Sequence, residues 1–485
     1  MLLNYNCPPQ VFRLQAFYTG RKTFAFCRGG GGYGKTYTVA KWLETSGIKQ
    51  SEYVFVAPTG KAVSVAEEKG IFGSTVHSFF KILNNDTFIS LERHIALRFG
   101  SIEKFKSEVK KEIYDKKVII IDEVSMVNNE LLEFILDLIL SLVPKMKIVL
   151  SGDYHQLPAV ITDNKKEGNP DLDESIDFVT ELIYSGGVDV IDFDTRFRSE
   201  NEEYNEWLHN LQNMKDESYR DIEKLASKLE YFFNVHENNV PEELETSLVY
   251  LCYTNAKVRE TNDHILSLLN NNEKPKISSA RIEVNEERFT TIASIRDSSV
   301  QQILKEMQFD EEVPLVVGSN ILFLTNGEQY RNGDSGTIYE IKQRSVIVQK
   351  QSPEGEYLVE IEKHKYESSP YEKSLGLNVV VTQWPFALSY ARSIHKAQGD
   401  GFTDLHLDFT EFLDNKNLTK LDKWRLLYVS ISRVQDPSKV WISRYSLDRL
   451  RINRKLLHSL DFDKLSLNHY KSEVAKPIYI PRIVK

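Results

Sequence analysis

Residues 29–36 read GGGGYGKT and fit the pattern G-x-x-x-x-G-K-[ST] at Gly29, Gly34, Lys35 and Thr36. An apolar run, Thr23–Cys27, precedes them and an amphipathic stretch, Tyr37–Leu43, follows, so the loop joins a predicted strand to a predicted helix. Glycines let the backbone wrap closely round phosphates and aim the amides of a helix start at anionic oxygens. Lys35 would neutralise β- and γ-phosphates, and Thr36 would ligate Mg²⁺. The nucleotide-contact candidates are Gly29, Gly32, Gly34, Lys35, Thr36 and Tyr37. A second signal is VIIIDE at Val118–Glu123, a buried-strand pattern ending in two carboxylates. Acids at the carboxyl end of a parallel strand lie at the ligand edge of the sheet. Asp122 would then hold Mg²⁺, and Glu123 would polarise an attacking water as general base. The bland alternative is a glycine-rich turn with an accidental Lys-Thr; the flanking strand and helix argue against it. The two signals together point to hydrolysis of a nucleoside triphosphate, with ATP and Mg²⁺ as the expected ligands.

Six further segments narrow the class: VAPTGKAV (Val56–Val63), STVHSFF (Ser74–Phe80), IDEVSM (Ile121–Met126), SGDYHQLPAV (Ser151–Val160), YARSIHKAQG (Tyr390–Gly399) and LLYVSISR (Leu426–Arg433). In this order they resemble the motifs of superfamily-one helicases, and they cover nearly the whole chain. The forms at Gly152–Val160, Thr75–His77 and His395–Gly399 are similar to the RecD/Pif/Dda-like branch. That resemblance implies an ATP-dependent DNA helicase moving 5′ to 3′ on single-stranded DNA, acting in replication, recombination or repair. The layout is similar to the compact phage Dda type, because Gln10 lies close to Met1 and no domain is expected ahead of the motor.

The resemblance also assigns roles. Gln10 matches the adenine-reading glutamine, with Gln15 as rival. Gln156 matches the γ-phosphate sensor, and Gly399 joins the nucleotide contacts. Arg198 matches the motif-four arginine, with Arg196 as alternative, and Arg433 the motif-six finger. Thr59, Lys61, Thr75, His77, Thr254, Asn255, Ser393, His395 and Lys396 occupy DNA-contact motifs. Hydroxyls, amides and cations at such positions hold phosphates without reading bases. Phe79, Phe80 and Phe88 are candidates for base stacking, with core packing as the alternative. Two departures stand out: Tyr33 replaces a small residue in the phosphate loop, to rest on the nucleotide or face solvent, and motif six reads VSISR. Expected partners are single-stranded DNA, a DNA fork and single-strand-binding or replisome proteins, with the chain itself a monomer. The rivals are a translocase or recombination remodeller without autonomous unwinding, an RNA-directed motor of the Upf-like branch, and a clamp without turnover.

The elements that must position these residues follow from pattern. Residues 1 to 195 alternate short apolar runs with amphipathic stretches, as in a βαβ series. The runs Thr23–Cys27, Tyr53–Ala57, Val118–Ile121 and Ile148–Ser151 read as strands buried on both faces, and Val188–Phe193 as an edge strand. The expected fold is α/β, with two RecA-like P-loop lobes. The expected division is a first lobe at 1–82 and 113–192, interrupted by a pin insertion at 83–112. A second lobe at 193–332 and 379–450 is interrupted by a small β-barrel at 333–378, and a basic tail spans 451–485. The barrel expectation comes from the alternating runs and turn signals of 318–362.

Composition sets the outer limits. The chain has 485 residues, 41% apolar and 11% aromatic, enough to fill real cores. Its 61 Lys+Arg against 70 Asp+Glu give a net charge of -9, unusual for a nucleic-acid binder. The acid is concentrated at 163–181 and 200–246, away from the motifs, and the segment after Val440 is basic. That basic segment reads equally as a solvated face or a nucleic-acid contact. Cys7, Cys27 and Cys252 show no CxxC pair, which excludes a disulfide framework or a cysteine zinc site and suits a reducing, cytoplasmic compartment. No secretory signal is expected, nor a run long enough to span a membrane.

Overall fold

A strand that is apolar on both faces needs cover on both sides, and four of the predicted strands are of that kind. The structure, a computed structural model, describes residues 8–82, 95, 99–153, 155–157, 179, 182–183, 186–214, 217–270, 275–307, 309–352, 355–368, 373, 376–457 and 460. It contains two compact units, one formed by residues 1–238 with 394–485 and the other by 239–393.

In the first unit, β1 (Phe24–Arg28), β2 (Tyr53–Ala57), β3 (Ser74–Thr75), β4 (Val118–Ile121), β5 (Lys147–Gly152) and β6 (Val188–Asp192) form one sheet in the order β3-β2-β4-β5-β1-β6. Each neighbouring pair is parallel. All of β2 and β4 is buried, whereas β6, at the sheet edge, is fully buried only at Val188 and Ile191. Register aligns Arg28 with both Gly152 and Asp192, so the chain leaves β1, β5 and β6 at one level. The helices Pro9–Thr19 and Lys35–Ser46 pack on each other through Leu14, Phe17, Val39 and Trp42. Gln15 Oε1 accepts hydrogen bonds from Trp42 Nε1 (3.1 Å) and Ser46 Oγ (2.5 Å), which ties that side chain into the packing.

The same unit holds a second parallel group, in which Val440–Ser443 pairs with Leu405–Leu407 and with Asn234–His236. The helices Glu202–Gln212, Ile222–Phe232, Lys420–Ser432 and Arg444–Ile452 belong to it. Here the acidic 200–246 stretch meets the basic segment. Arg451 pairs with Glu230 at 2.7 Å and with Asp448 at 3.0 Å, and Arg444 pairs with Glu230 and Glu237. The first part of that segment therefore holds helices together rather than forming a free basic face. Residues 461–485 lie outside the described residues, as do 158–178 of the acidic loop.

The second unit is mainly antiparallel. One sheet has the order Gly355–Glu362, Ser345–Ser352, Ser335–Ile341, Asn320–Phe323, Phe386–Leu388 and closes over Ile321, Phe323, Ile338, Val346, Val348 and Trp384. Another runs Glu287–Phe289, Arg281–Val284, Val379–Gln383, His364–Glu367. Val249–Cys252 lies parallel to Ala391–Ser393 and leads into the helix Asn255–Leu269.

Within the expected pin region, residues 83–94 and 96–98, including Phe88, lie outside the described residues. The later part is a helix, Ile102–Ile113, that buries Phe105, Val109 and Ile113 and stacks Phe105 on Phe134 at 6.2 Å. Phe80 is 0% exposed, which makes it a core side chain and not a stacking surface. Phe80→Ala should cost about 3–5 kcal/mol, seen as a fall in the urea midpoint of unfolding. An unchanged midpoint with weakened DNA binding would restore Phe80 to the nucleic-acid track.

Candidate functional site

The phosphate loop begins where β1 ends. Gly32 (φ 86°) and Gly34 (φ 75°) take left-handed backbone, and the helix starts at Lys35. Gly31 is required for a different reason: a Cβ there would stand 2.6 Å from Arg433 Nη2 and 3.1 Å from Gln156 Nε2. Lys35, 5% exposed, donates to Gly29 O at 2.6 Å and Gly30 O at 3.0 Å. Thr36 Oγ1 donates to Asp122 Oδ2 at 2.9 Å, linking the end of β1 to the end of β4. A hydroxyl beside a buried carboxylate is an all-oxygen donor set, the kind that suits Mg²⁺.

Glu123 stands next to this pair in left-handed backbone (φ 50°), uncommon for a residue with a side chain. Its Oε2 is buried and has no hydrogen-bond partner among the described residues. Burial pushes the Glu123 carboxyl above its ordinary range; Lys35 and Arg433 pull it down, and Asp122 and Asp153 push it up. An ionised carboxylate oxygen without a protein partner can accept a hydrogen bond from water.

Two arginines close the loop from the other side. Arg433 is fully buried, with Nε donating to Val429 O (3.2 Å) and Nη2 to Ser432 Oγ (2.9 Å). Arg198 Nη1 donates to Ser432 O at 2.9 Å and Nη2 to Gly399 O at 3.4 Å, and its Cβ would clash with any Cβ on Gly32. Burial disfavours the charge on both; Arg433 and Arg196 lower Arg198 further, Arg196 lowers Arg433 further, and Glu123 opposes the shift in each. Arg196 is placed differently: it donates to Asn205 Oδ1 (2.6 Å), Ser432 O (2.9 Å) and Val434 O (3.3 Å). Of the two motif-four arginines, Arg198 is the one against the phosphate loop.

Sequence reading missed the residue that joins these parts. Asp153, 3% exposed, accepts hydrogen bonds from Gly31 N (3.2 Å), His155 N (3.0 Å), Gln156 Nε2 (3.0 Å), Gln212 Nε2 (3.2 Å) and Tyr428 Oη (3.3 Å). The signal was available: Asp153 follows the buried strand β5 as Asp122 follows β4. Tyr33 neither faces solvent nor lies open to a ligand. It is 3% exposed, and its Oη sits 3.0 Å from His209 Nδ1. Phe197 was also missed: its N–H donates to Gly32 O at 2.8 Å, yet its side chain is 70% exposed beside Gly34. Tyr37, on the first turn of the loop helix, is 49% exposed. Gln10 Nε2 donates to Asp192 O at 3.2 Å, at the end of β6, whereas the carbonyl of Gln15 is held within the helix pair.

The expected DNA contacts fall into separate groups. In the first unit, Thr59 follows β2 and Thr75 ends β3, and the two strands pair Ala57 with Thr75. Both cap helices, accepting from Ala62 N and Ser78 N at 3.2 Å, and Lys61 and His77 lie on those helices. A capping hydroxyl still has its proton to donate to a phosphate. His395 and Lys396 follow at the start of the chain's return to this unit, His395 half-buried and Lys396 exposed. Burial holds the His395 imidazole below its ordinary pKa, opposed by Asp422. In the second unit, Thr254 caps the helix that begins at Asn255, and Ser393 aligns with Cys252, so these three share one strand end. Among the described residues no cluster of His, Cys, Asp and Glu has the makings of a further metal site.

Asp153→Asn replaces an acceptor oxygen by a donor nitrogen amid five donors. It should destabilise the first unit by about 1–3 kcal/mol, read as a lower thermal midpoint. An unchanged midpoint would show that those five contacts contribute nothing net.

The AAA domain family profile matches residues 15–162, the segment carrying the phosphate loop and both strand-end acids. Over 459 residues the chain is 26% identical to the ATP-dependent DNA helicase Pif1 of Campylobacter jejuni, covering 92% of this chain and 94% of that protein. The fold is similar to that of Pif1 helicase from Candida albicans (TM-score 0.65, 19% identity, 94% of this chain and 99% of that one). It is also similar to Bacteroides Pif1 in complex with ADP-AlF3 and ssDNA (TM-score 0.60, 19% identity, 92% and 94% covered). In ordered motifs and in fold, along nearly its whole length, this chain resembles the Pif1/RecD-like branch of superfamily-one helicases.

Proposed function

We propose that the chain is an ATP-dependent DNA helicase that moves 5′ to 3′ on single-stranded DNA and separates duplex ahead of it. The observation that carries this is convergence: Lys35, Thr36, Asp122, Glu123, Gln156, Arg198 and Arg433, from five separated segments, meet around Gly29–Gly34. The Pif1 relative along the chain is an ATP-dependent DNA helicase, and a Pif1 of the same fold holds ADP-AlF3 with ssDNA.

Lys35 and the loop amides take the β- and γ-phosphates. Thr36 and Asp122 would hold Mg²⁺, which when bound neutralises phosphate oxygens. Glu123 accepts the proton of the water that attacks the γ-phosphorus as the bond to the ADP oxygen breaks. Gln156 orients that water, while Arg198 and Arg433 stabilise charge on the phosphoryl oxygens. Gln10 reads adenine through its amide. DNA is held by its phosphates, with Thr59, Lys61, Thr75, His77, Thr254, Asn255, Ser393, His395 and Lys396 as the candidate contacts. Cycles of hydrolysis alternate the grip on DNA, which gives directional steps.

Glu123→Gln should bind ATP yet turn over about 10²–10⁴-fold more slowly; normal turnover would remove Glu123 as base. The broader reading is tested with 5′-tailed and 3′-tailed duplexes on DNA and RNA tracking strands, with Lys35→Ala as the inactive control. Unwinding from the 5′ DNA tail alone is expected. Unwinding only from a 3′ tail would overturn the polarity, tracking on RNA alone the substrate, and hydrolysis without strand separation would favour a translocase.

A further inference from the structure

The helix Glu202–Gln212 carries a polar stripe at Asn205, His209 and Gln212, spaced i, i+4, i+7 and so on one face. Each member holds a different part of the nucleotide site. Asn205 Oδ1 accepts from Arg196 Nη1 at 2.6 Å, and Arg196 in turn donates to Ser432 O, next to Arg433. His209 Nδ1 lies 3.0 Å from Tyr33 Oη in the phosphate loop. Gln212, 6% exposed, donates to Asp153 Oδ1 at 3.2 Å, and its Oε1 would stand 2.6 Å from a Cβ on Gly30. On the same helix Tyr204 Oη donates to Ile431 O at 2.7 Å. One rigid element, about 16 Å long at 1.5 Å per residue, thus grips both the loop and the backbone carrying the arginine finger.

We propose that this stripe positions the phosphate loop against Arg433, which makes His209 and Gln212 positioning residues for ATP hydrolysis. The inference rests on the ATPase reading above. Gly31 shows how little slack there is, since its N–H is bonded to Asp153 while Arg433 Nη2 crowds the place a Cβ would occupy. A misplacement of about 1 Å in such a site costs on the order of 10²-fold in rate. Lys35 is bonded to the loop itself and not to the stripe, so nucleotide binding is largely independent of it. Loss of a stripe contact therefore lowers kcat and leaves KM for ATP nearly unchanged.

Steady-state ATPase measurements on the full chain test this with two kinds of variant. Tyr33→Phe and His209→Leu each remove one side of the same bond. Each should lower kcat about fivefold to tenfold with KM within about twofold, and the double variant should be no worse than either single. Gln212→Glu sets a carboxylate against Asp153 with no change of shape. Two such acids share a proton at raised pH. Around Asp153 stand Tyr33 of the loop, Glu123 after β4, His155 beside it, and Tyr428 and Arg433 from the motif-six segment. The Gln212→Glu rate should be about tenfold low at pH 8 and recover toward the wild-type rate as pH falls to about 5.5. A packing role alone produces no such recovery. Wild-type kcat in Tyr33→Phe and His209→Leu, additive losses, a change confined to KM, or a Gln212→Glu deficit flat with pH would each overturn the inference. If wild-type turnover persists in Lys35→Ala, the ATPase site itself fails. If it requires Lys35 while the stripe variants behave as wild type, only the positioning role fails.

Discussion

A parallel strand buried on both faces has only its ends for polar chemistry, and that constraint organises this protein. β1, β2, β4 and β5 are buried along nearly their whole length. Their carboxyl ends lead into Gly29–Thr36, Thr59, Asp122–Glu123 and Asp153 respectively, and register sets the ends of β1, β5 and β6 abreast. Residues more than a hundred positions apart become neighbours because the sheet permits polar groups nowhere else.

Gathering charges there costs desolvation, and the cluster compensates by alternating sign. Lys35, Arg198 and Arg433 stand among Asp122, Glu123 and Asp153. Glu123 Oε2 has no hydrogen bond among the described residues, unlike Asp153, whose carboxylate accepts from five donors. The difference separates a carboxylate fixed by its surroundings from one with an oxygen left open. The left-handed backbone at Glu123 belongs to the same pattern of local strain held by a rigid surround.

The surface charge follows a different rule. A net charge of -9 need not oppose DNA binding, because a phosphate-holding track needs cations along one path only. Part of the acid excess is engaged internally: Glu223, Glu230 and Glu237 pair with Arg444 and Arg451. The basic look of the segment after Val440 therefore overstates the charge it offers to a ligand, since its first arginines brace one helix against another.

Local pattern carried a good deal. The apolar runs located β1, β2, β4 and β5 to within a residue or two, because burial on both faces leaves an unmistakable composition. Lys35, Thr36, Asp122 and Glu123 were legible for the same reason, as the chemistry sits at a fixed offset from each strand. Contacts set by packing between distant segments were not legible. Nothing near Tyr33 says that His209 receives it, and nothing near Phe80 says that it is core and not surface. Arg196 and Arg198 look interchangeable in TRFRSE, and only their hydrogen bonds separate them. The sequence by itself determined the strand ends and the chemical groups placed there. The tertiary structure alone decided which of those groups meet, because that depends on strand order and on the face each helix turns toward the sheet.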